Sequence, residues 1–409
     1  MKHIAIISPC ILPVPATKGG AVESLLTFII EENEKVEGVK FDLFSISDDK
    51  EVSVTYLNTS IYTVKKGTIV KTADRILDKV YRLLPGEISA KRLFDDCIIA
   101  KVKSAALNNG HDYDAIVVEN MMSLAVKLIE SGIFGNSPLF FHMHNDIDIY
   151  RSPRFCRQLA DRKVTFLCVS EYIKNRVLSY AHKADARVLY NGTDTNIFDV
   201  SLKSKNRETR NKYGLMADEV VFLYSGRIIP QKGVLELIDG YNLFRERNSA
   251  SKTKLLIVGF SDIPTKYEDK ILEKCRNIGD NILCHKKVEA KKMAEIVAAA
   301  DVVTIPTMDE EPFGMVAIEA MAMGKPVIAT RSGALTELLT VDNAVFVEKS
   351  ADVSEALAKA FGIMMDGQLR KEMGSVSENL FKNNKEWHKD SFYKNFCASL
   401  GVFDEREKL

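Results

Sequence analysis

Two carboxylates and two cations carry the chemistry of this chain. Glu311 and Glu319 stand eight positions apart in E-PFGMVAI-E-AMAMGKPVIATRSGALTE, with Pro312, Phe313 and Gly314 directly after the first. The periodic run from Met315 to Met323 predicts a helix, so Glu319 falls about one turn inside it and Glu311 on the loop before it. The backbone N–H groups at that helix start, around Gly314, form a pocket for negative charge. Such a stretch suits a ligand carrying hydroxyls, a diphosphate and a ribose; an amphipathic surface helix with solvated acids is the plainer alternative. Arg227 and Lys232 lie on a loop leaving the strand Val220–Ser225, with Pro230-Gln231-Lys232-Gly233 opening a helix to Arg245. A guanidinium fork and an ammonium point charge at the carboxyl end of a strand can neutralise a diphosphate. Ordinary surface cations would read the same way from sequence.

These residues need two α/β scaffolds to hold them. The chain has 409 residues, 46% hydrophobic and 27% charged, enough for two cores. With 56 basic and 56 acidic residues its formal net charge is zero, so no global field favours nucleic acid as a partner. Seven scattered cysteines, without a C-x-x-C pair, fit reduced thiols in a cytoplasmic protein. The apolar start MKHIAIIS is too short for a signal peptide, and no apolar run approaches the roughly 18 residues that span a bilayer.

In the first half, Ile4–Ser8 reads as a buried strand, and Gly19-Gly20 precedes a helix over Ala21–Glu34. Strand, glycine turn and helix place backbone amides at a helix N-terminus, although a tight turn needing positive φ explains the glycines equally well. Strands are expected at Phe41–Ile46, Ala115–Val118, Leu139–His142, Val164–Val169 and Arg187–Tyr190. In the second half they are expected at Leu255–Gly259, Ile282–His285, Val302–Pro306, Val327–Thr330 and Ala344–Val347. Short apolar runs alternating with helices predict doubly wound parallel sheets. His142 and His144 close one strand and point the same way, but no third metal ligand stands at a recognisable spacing. His144, further along the edge, is the better candidate for touching a substrate.

Residues 65–103 hold ten basic and five acidic residues, with Ile76, Leu77, Val80, Leu83 and Leu84 at helical spacing. Such a helix lies on an anionic membrane surface or packs, solvated, on its own domain. Asn191-Gly192-Thr193-Asp194 marks a turn, and the polar stretch 201–211 reads as a linker or an exposed helix start. The expected division is 1–198, 199–384 and a tail over 385–409 in which Trp387, Phe392, Tyr393 and Phe396 form an aromatic packing stripe.

Taken in order, these residues resemble the retaining glycosyltransferases of family 4. The likeness rests on Gly19-Gly20 with Glu23, His144, Val169-Ser170-Glu171, and Asn191-Gly192-Thr193-Asp194 with Phe198. It continues through Ser225-Gly226-Arg227 with Lys232-Gly233, Glu311-x7-Glu319, Gly324-Lys325-Pro326-Val327, and Gly333 with Glu337. The resemblance implies the GT-B architecture: two Rossmann-like domains facing each other across a cleft, with the tail crossing back onto the first. It implies transfer of a sugar, with retention and without a metal or other cofactor, from a nucleotide-sugar donor to a glycan or lipid-linked acceptor. Arg227 and Lys232 would hold the diphosphate, helped by amides near Gly19 and Gly20 and over Gly314, Met315 and Val316. Glu319 would take the ribose hydroxyls, Glu311 the hydroxyls of the transferred sugar with amides after Pro312, and His144 would face that sugar. Asn191, Gly226, Val288 and Phe313 complete the donor set.

Retention proceeds by front-face attack, or by double displacement through a nucleophile for which Asp146 is the nearest, poor candidate. Two loops depart from the pattern: Ser261 replaces a second glycine, and Lys286-Lys287-Val288 lacks one. Both border the nucleotide in the family, so UDP is the default base and GDP stays open. Surface polysaccharide assembly at the inner face of the cell membrane is the expected setting. A sugar-nucleotide epimerase and a non-catalytic partner subunit are the competing classes.

Overall fold

The computed structural model describes the chain apart from residues 48–54, 66, 68, 69, 71, 75, 78–92, 110–112, 134, 148–152 and 403–409. Most of the basic amphipathic stretch expected within 65–103 therefore lies outside the described residues. The chain divides into two compact units, Met1–Tyr190 with Phe392–Leu409, and Asn191–Ser391. The boundary expected at 198/199 falls at 190/191 instead, because Asn191 to Asp194 packs with residues of the second unit. There Thr193 N–H donates to the Trp387 carbonyl at 2.9 Å, and Lys389 N–H donates to the Thr193 carbonyl at 3.0 Å. A Cβ at Gly192 would sit 2.7 Å from the His388 backbone, so only glycine admits this pairing. The tail likewise divides at 391/392 rather than at 385.

The first unit is built on a seven-stranded parallel sheet: β1 (Lys2–Ile7), β2 (Val39–Ile46), β3 (Thr59–Val64), β4 (Ala115–Glu119), β5 (Leu139–Met143), β6 (Thr165–Cys168) and β7 (Asp185–Val188). Their order is β3-β2-β1-β4-β5-β6-β7. Its helices are α1 (Ala21–Asn33), α2 (Leu93–Asn109), α3 (Met122–Glu130), α4 (Pro153–Asp161) and α5 (Glu171–Tyr180). β4 is buried at every position, as a central strand covered on both faces must be. β3 escaped the sequence reading: it is a sheet-edge strand whose pattern, TSIYTV, is half exposed and lacks a continuous apolar run. Phe392, Tyr393 and Phe396 of the tail are buried in this unit's core, and the Tyr393 hydroxyl donates to Asn33 Oδ1 at 2.8 Å.

The second unit carries a six-stranded parallel sheet: β8 (Val220–Ser225), β9 (Thr253–Phe260), β10 (Ile282–Lys286), β11 (Val302–Ile305), β12 (Val327–Thr330) and β13 (Ala344–Val347). The order β10-β9-β8-β11-β12-β13 is that of a dinucleotide-binding sheet. Around it lie α6 (Asn206–Lys212), α7 (Val234–Arg247), α8 (Lys266–Ile278), α9 (Ala290–Ala299), α10 (Met315–Ala322), α11 (Leu335–Leu338), α12 (Val353–Ile363) and α13 (Gly367–Asn383). The last helix, α14 (Lys389–Ser399), starts in this unit and continues in the first. Phe222, Tyr241, Phe244 and Phe361 stack edge to face in the core between β8, α7 and α12. In each sheet the strand order reverses once, between β1 and β4 and between β8 and β11. Loops leaving those strand pairs diverge to opposite faces and open a crevice, which is where ligands bind in such sheets.

Candidate active site

In the second unit the switch point brings the loops after β8 and β11 together. The Gln231 carbonyl ties them, accepting from Met308 N–H at 2.8 Å and from the Thr307 hydroxyl at 3.2 Å. Gly233, at φ 66°, closes the join: a Cβ there would lie 1.9 Å from the Pro306 carbonyl oxygen. As a result Lys232 Nζ stands 2.5 Å from Glu311 Oε2. Arg227, on the same loop, is exposed, and its guanidinium has no protein partner among the described residues. Beneath it the buried Tyr224 hydroxyl donates to the Arg227 carbonyl at 2.8 Å, fixing the turn. Gly226 belongs to this turn as well: a Cβ on Gly259 would meet its carbonyl oxygen at 1.8 Å.

Glu311 is clamped by its backbone. Its N–H donates to Ser332 Oγ at 3.1 Å, and its carbonyl accepts from Ala334 N–H at 2.9 Å. Ser332 Oγ in turn donates to the Asp309 carbonyl at 2.7 Å, and Glu310 accepts Gly333 N–H at 2.6 Å while pairing with Lys349. Gly333 has φ 45°, and a Cβ on it would stand 2.3 Å from the Glu311 carbonyl oxygen. Ser332 and Glu310 were missed by the sequence reading, since a serine and a solvated acid on loops carry no periodic or spacing signal. Gly333→Ala is expected to lower turnover about tenfold through displacement of Glu311, at a stability cost of about 1–3 kcal/mol. Steady-state kinetics beside urea unfolding checks it; unchanged turnover would release Glu311 from dependence on this clamp.

α10 starts at Gly314, φ 107°, with no side chain capping it, and its first internal bond is Ala317 N–H to the Gly314 carbonyl at 2.9 Å. The amides of Gly314, Met315 and Val316 thus stand at an uncapped helix N-terminus next to Glu311. Phe313 is buried beneath this turn. Glu319, inside α10, keeps some exposed surface, yet desolvation of its crowded carboxyl raises its pKa to about 8. No hydrogen bond reaches that carboxyl among the described residues.

Val288 follows β10 and is half-buried. The two departing loops are braced by side chains: Ser261 N–H donates to Glu268 Oε1 at 2.7 Å, and Lys286 pairs with Asp262 at 3.2 Å. Asn191 is buried, and its Oδ1 has no partner among the described residues. Lys325, in the Gly324-Lys325-Pro326-Val327 motif, is buried and donates to the Ala298 and Ala300 carbonyls at 2.8 and 2.6 Å, so its role is to lock α9 to the start of β12.

In the first unit, His144 Nε2 lies 2.7 Å and His142 Nδ1 3.0 Å from Glu119 Oε2. The sequence offered no third donor beside the two histidines. The structure supplies Glu119, brought in by the parallel pairing of β4 with β5, which sets it opposite His142. The two histidine side chains hold this buried carboxyl down, to about 2, against the cost of its desolvation. Burial drives His144 down to about 4, with the nearby His142 adding to the shift. At the Gly19-Gly20 turn, where φ is 77° and 104°, Glu23 curls back beneath the start of α1. Burial raises its carboxyl above the usual range, against backbone hydrogen bonds at Glu23 and Leu12. Asp146 is engaged already, accepting from Arg176 Nε at 3.0 Å and from the Tyr172 hydroxyl at 2.8 Å.

Residues 205–380 match the family model described as glycosyl transferases group 1. The lipopolysaccharide 1,2-N-acetylglucosaminetransferase of Salmonella typhimurium is 29% identical over 229 residues, 55% of this chain and 56% of that protein. The putative glycosyltransferase YtcC of Bacillus subtilis is 25% identical over 362 residues, 85% of this chain and 80% of its own. An uncharacterised glycosyltransferase of Methanocaldococcus jannaschii is 33% identical over 178 residues, covering 44% of that protein, so the first curated relatives are matched over about half their length. Among solved structures, sucrose-phosphate synthase from Thermosynechococcus elongatus superposes with a TM-score of 0.75 at 19% identity, covering 98% of both chains. Anabaena HepE, solved with UDP-glucose, gives 0.74 at 18% identity over 98% of this chain and 100% of its own. At such identities the structural likeness shows the fold alone, which is α/β of the GT-B class. The likeness to the group 1 glycosyltransferases by family model is confined to residues 205–380.

Proposed function

We propose that the protein is a retaining glycosyltransferase of family 4, moving a sugar from a nucleotide-sugar donor to a glycan or lipid-linked acceptor. The observation that carries this reading is the grouping in the second unit of Lys232, Glu311 and the uncapped start of α10, with an unpartnered Arg227 on the same loop as Lys232. Cleaving a sugar–phosphate bond builds positive charge at the anomeric carbon and negative charge on the departing diphosphate. Arg227, Lys232 and the amides of Gly314, Met315 and Val316 would stabilise that diphosphate electrostatically, which needs no metal. Glu311 would fix hydroxyls of the transferred sugar, and Glu319 those of the ribose. His144 would accept from a sugar hydroxyl. Front-face attack is favoured over double displacement because Asp146 is bound by Arg176 and Tyr172. A UDP-sugar is the preferred donor.

Thermal unfolding in the presence of UDP-glucose, UDP-N-acetylglucosamine and GDP-mannose tests the donor. A ligand at a hundredfold its Kd stabilises by about 2.7 kcal/mol. One of the three is expected to raise the melting temperature, and none doing so would remove the nucleotide-sugar reading. Arg227→Ala is expected to weaken binding of the matching nucleoside diphosphate roughly 10- to 100-fold, since it deletes a charge-assisted contact. The loss shrinks as salt rises, because Arg227 is exposed. Calorimetric titration at two salt concentrations reads both effects. Transfer of labelled sugar to an acceptor, as opposed to conversion of the free nucleotide sugar, separates a transferase from an epimerase.

A further inference from the structure

Glu119 closes a strand whose every residue is buried, yet it is charged, and sugar transfer as set out above gives it no task. Its Oε2 is shared by two ring nitrogens, His144 Nε2 at 2.7 Å and His142 Nδ1 at 3.0 Å. Next to it Asn120 is held at φ 59°, uncommon for a residue with a side chain, and its Oδ1 accepts His144 N–H at 3.2 Å. Two consecutive residues at the end of β4 thus grip one histidine, Asn120 by the backbone and Glu119 by the ring. Within the first unit, among the described residues, His144 Nδ1 has no partner.

We propose that Glu119 is a positioning residue that locks His144 as the Nε2–H tautomer and so presents Nδ1 as a hydrogen-bond acceptor to a sugar hydroxyl. An ionised carboxylate only accepts, so a ring nitrogen 2.7 Å from it carries the proton. The ring is neutral at pH 7, since its pKa lies near 4, and its other nitrogen therefore bears a lone pair. A hydroxyl donating to Nδ1 completes the chain of bonds; a substrate group that only accepts leaves the lone pair facing another lone pair. Selection is thus for a free hydroxyl at that position of the sugar. His142 donates to the same oxygen and keeps the carboxylate from turning away.

The inference rests on the nucleotide-sugar reading for its substrate and stands on this chain alone for its tautomer, and two measurements separate the parts. Long-range 15N–1H spectra of histidine-labelled protein report which nitrogen of His144 is protonated. The wild type is expected to show Nε2–H between pH 6 and 8, Glu119→Asp to retain it, and Glu119→Gln, whose amide offers N–H groups, to populate Nδ1–H. In calorimetric titrations Glu119→Gln is expected to bind UDP-glucose, UDP-N-acetylglucosamine or GDP-mannose, whichever the wild type takes, about tenfold more weakly. The matching nucleoside diphosphate should keep its affinity within about twofold. A protonated Nδ1 in the wild type, a stoichiometric metal in the purified protein, or equal loss for sugar-bearing and sugar-free nucleotides would overturn the proposal. If Glu119→Gln does not fold, the wild-type spectrum and Glu119→Asp decide the tautomer. If the wild type binds none of the three donors, the nucleotide-sugar reading fails and takes the sugar contact with it, while the spectrum still judges the tautomer.

Discussion

Replacing Glu311 by glutamine is expected to lower sugar transfer on the order of 10²- to 10³-fold, the range seen when one preorganised electrostatic group is removed from a transition state. Binding of the nucleoside diphosphate should persist. The substitution keeps the side-chain volume and leaves the backbone clamp from Ser332 and Ala334 in place, so the loop has no reason to move. What changes is charge. Lys232 Nζ is paired with Glu311 Oε2 at 2.5 Å. Once that carboxylate becomes an amide, the ammonium is freed for phosphate, and nucleoside diphosphate affinity holds or rises.

Lys232→Ala predicts the opposite split. It leaves the Glu311 carboxylate uncompensated beside the place where a diphosphate must sit, and like charges at that range repel. Nucleoside diphosphate binding should then fall together with turnover. Initial rates with labelled donor, set beside calorimetric titration of the matching nucleoside diphosphate, read both variants. Near-normal turnover in Glu311→Gln would remove Glu311 from the chemistry. Equal loss of nucleotide affinity in both variants would mean that the pair acts only as a structural ion pair.

How much of this was legible in the sequence depends on what carries each feature. Both sheets could be read because central parallel strands are continuous apolar runs: Val220–Ser225 and Val327–Thr330 appear in the structure with those bounds, as does the short apolar edge strand Ala344–Val347. The order of the strands brings the loops bearing Arg227, Lys232 and Glu311 to one switch point, so residues 79 positions apart could be linked by their place after a strand. Edge strand β3 was missed because exposure on one side breaks its apolar run. Glu119 was missed for another reason. Its strand was identified, but one charged residue at the end of a buried run reads as the point where the strand meets solvent. Only the register between β4 and β5, with Glu119 opposite His142, shows the carboxylate turned inward on two imidazoles. Asn191-Gly192-Thr193-Asp194 was legible as a turn, and what the sequence did not carry is its partner: Thr193 and Asp194 are tied to the segment around Lys389, with Lys389 Nζ 3.0 Å from Asp194.

Glu319 yields the prediction with the clearest pH signature. Among the described residues no hydrogen bond reaches its carboxyl, and desolvation lifts its pKa from 4.5 to about 8. The native state therefore holds one more proton than the unfolded chain between those values, and stability declines as pH rises through that window. The cost is absent below about 4.5 and complete above about 8, with a ceiling of about 5 kcal/mol at 1.36 kcal/mol per pH unit. Glu319→Gln carries no ionisable group, so it should melt higher than the wild type at pH 8.5, with the difference closing by pH 5. A ribose reverses the balance. Two hydroxyls donating to the carboxylate favour its ionised form, so binding a nucleoside diphosphate at pH 7 should expel close to one proton. Calorimetric titration of UDP in buffers of different ionisation enthalpy counts that proton. Glu319→Gln should abolish the buffer dependence and weaken UDP roughly tenfold, and 2′-deoxy-UDP should reproduce part of both effects on the wild type. Equal proton counts in the wild type and Glu319→Gln would sever the link between Glu319 and the ribose, and with it the placing of the nucleotide along α10.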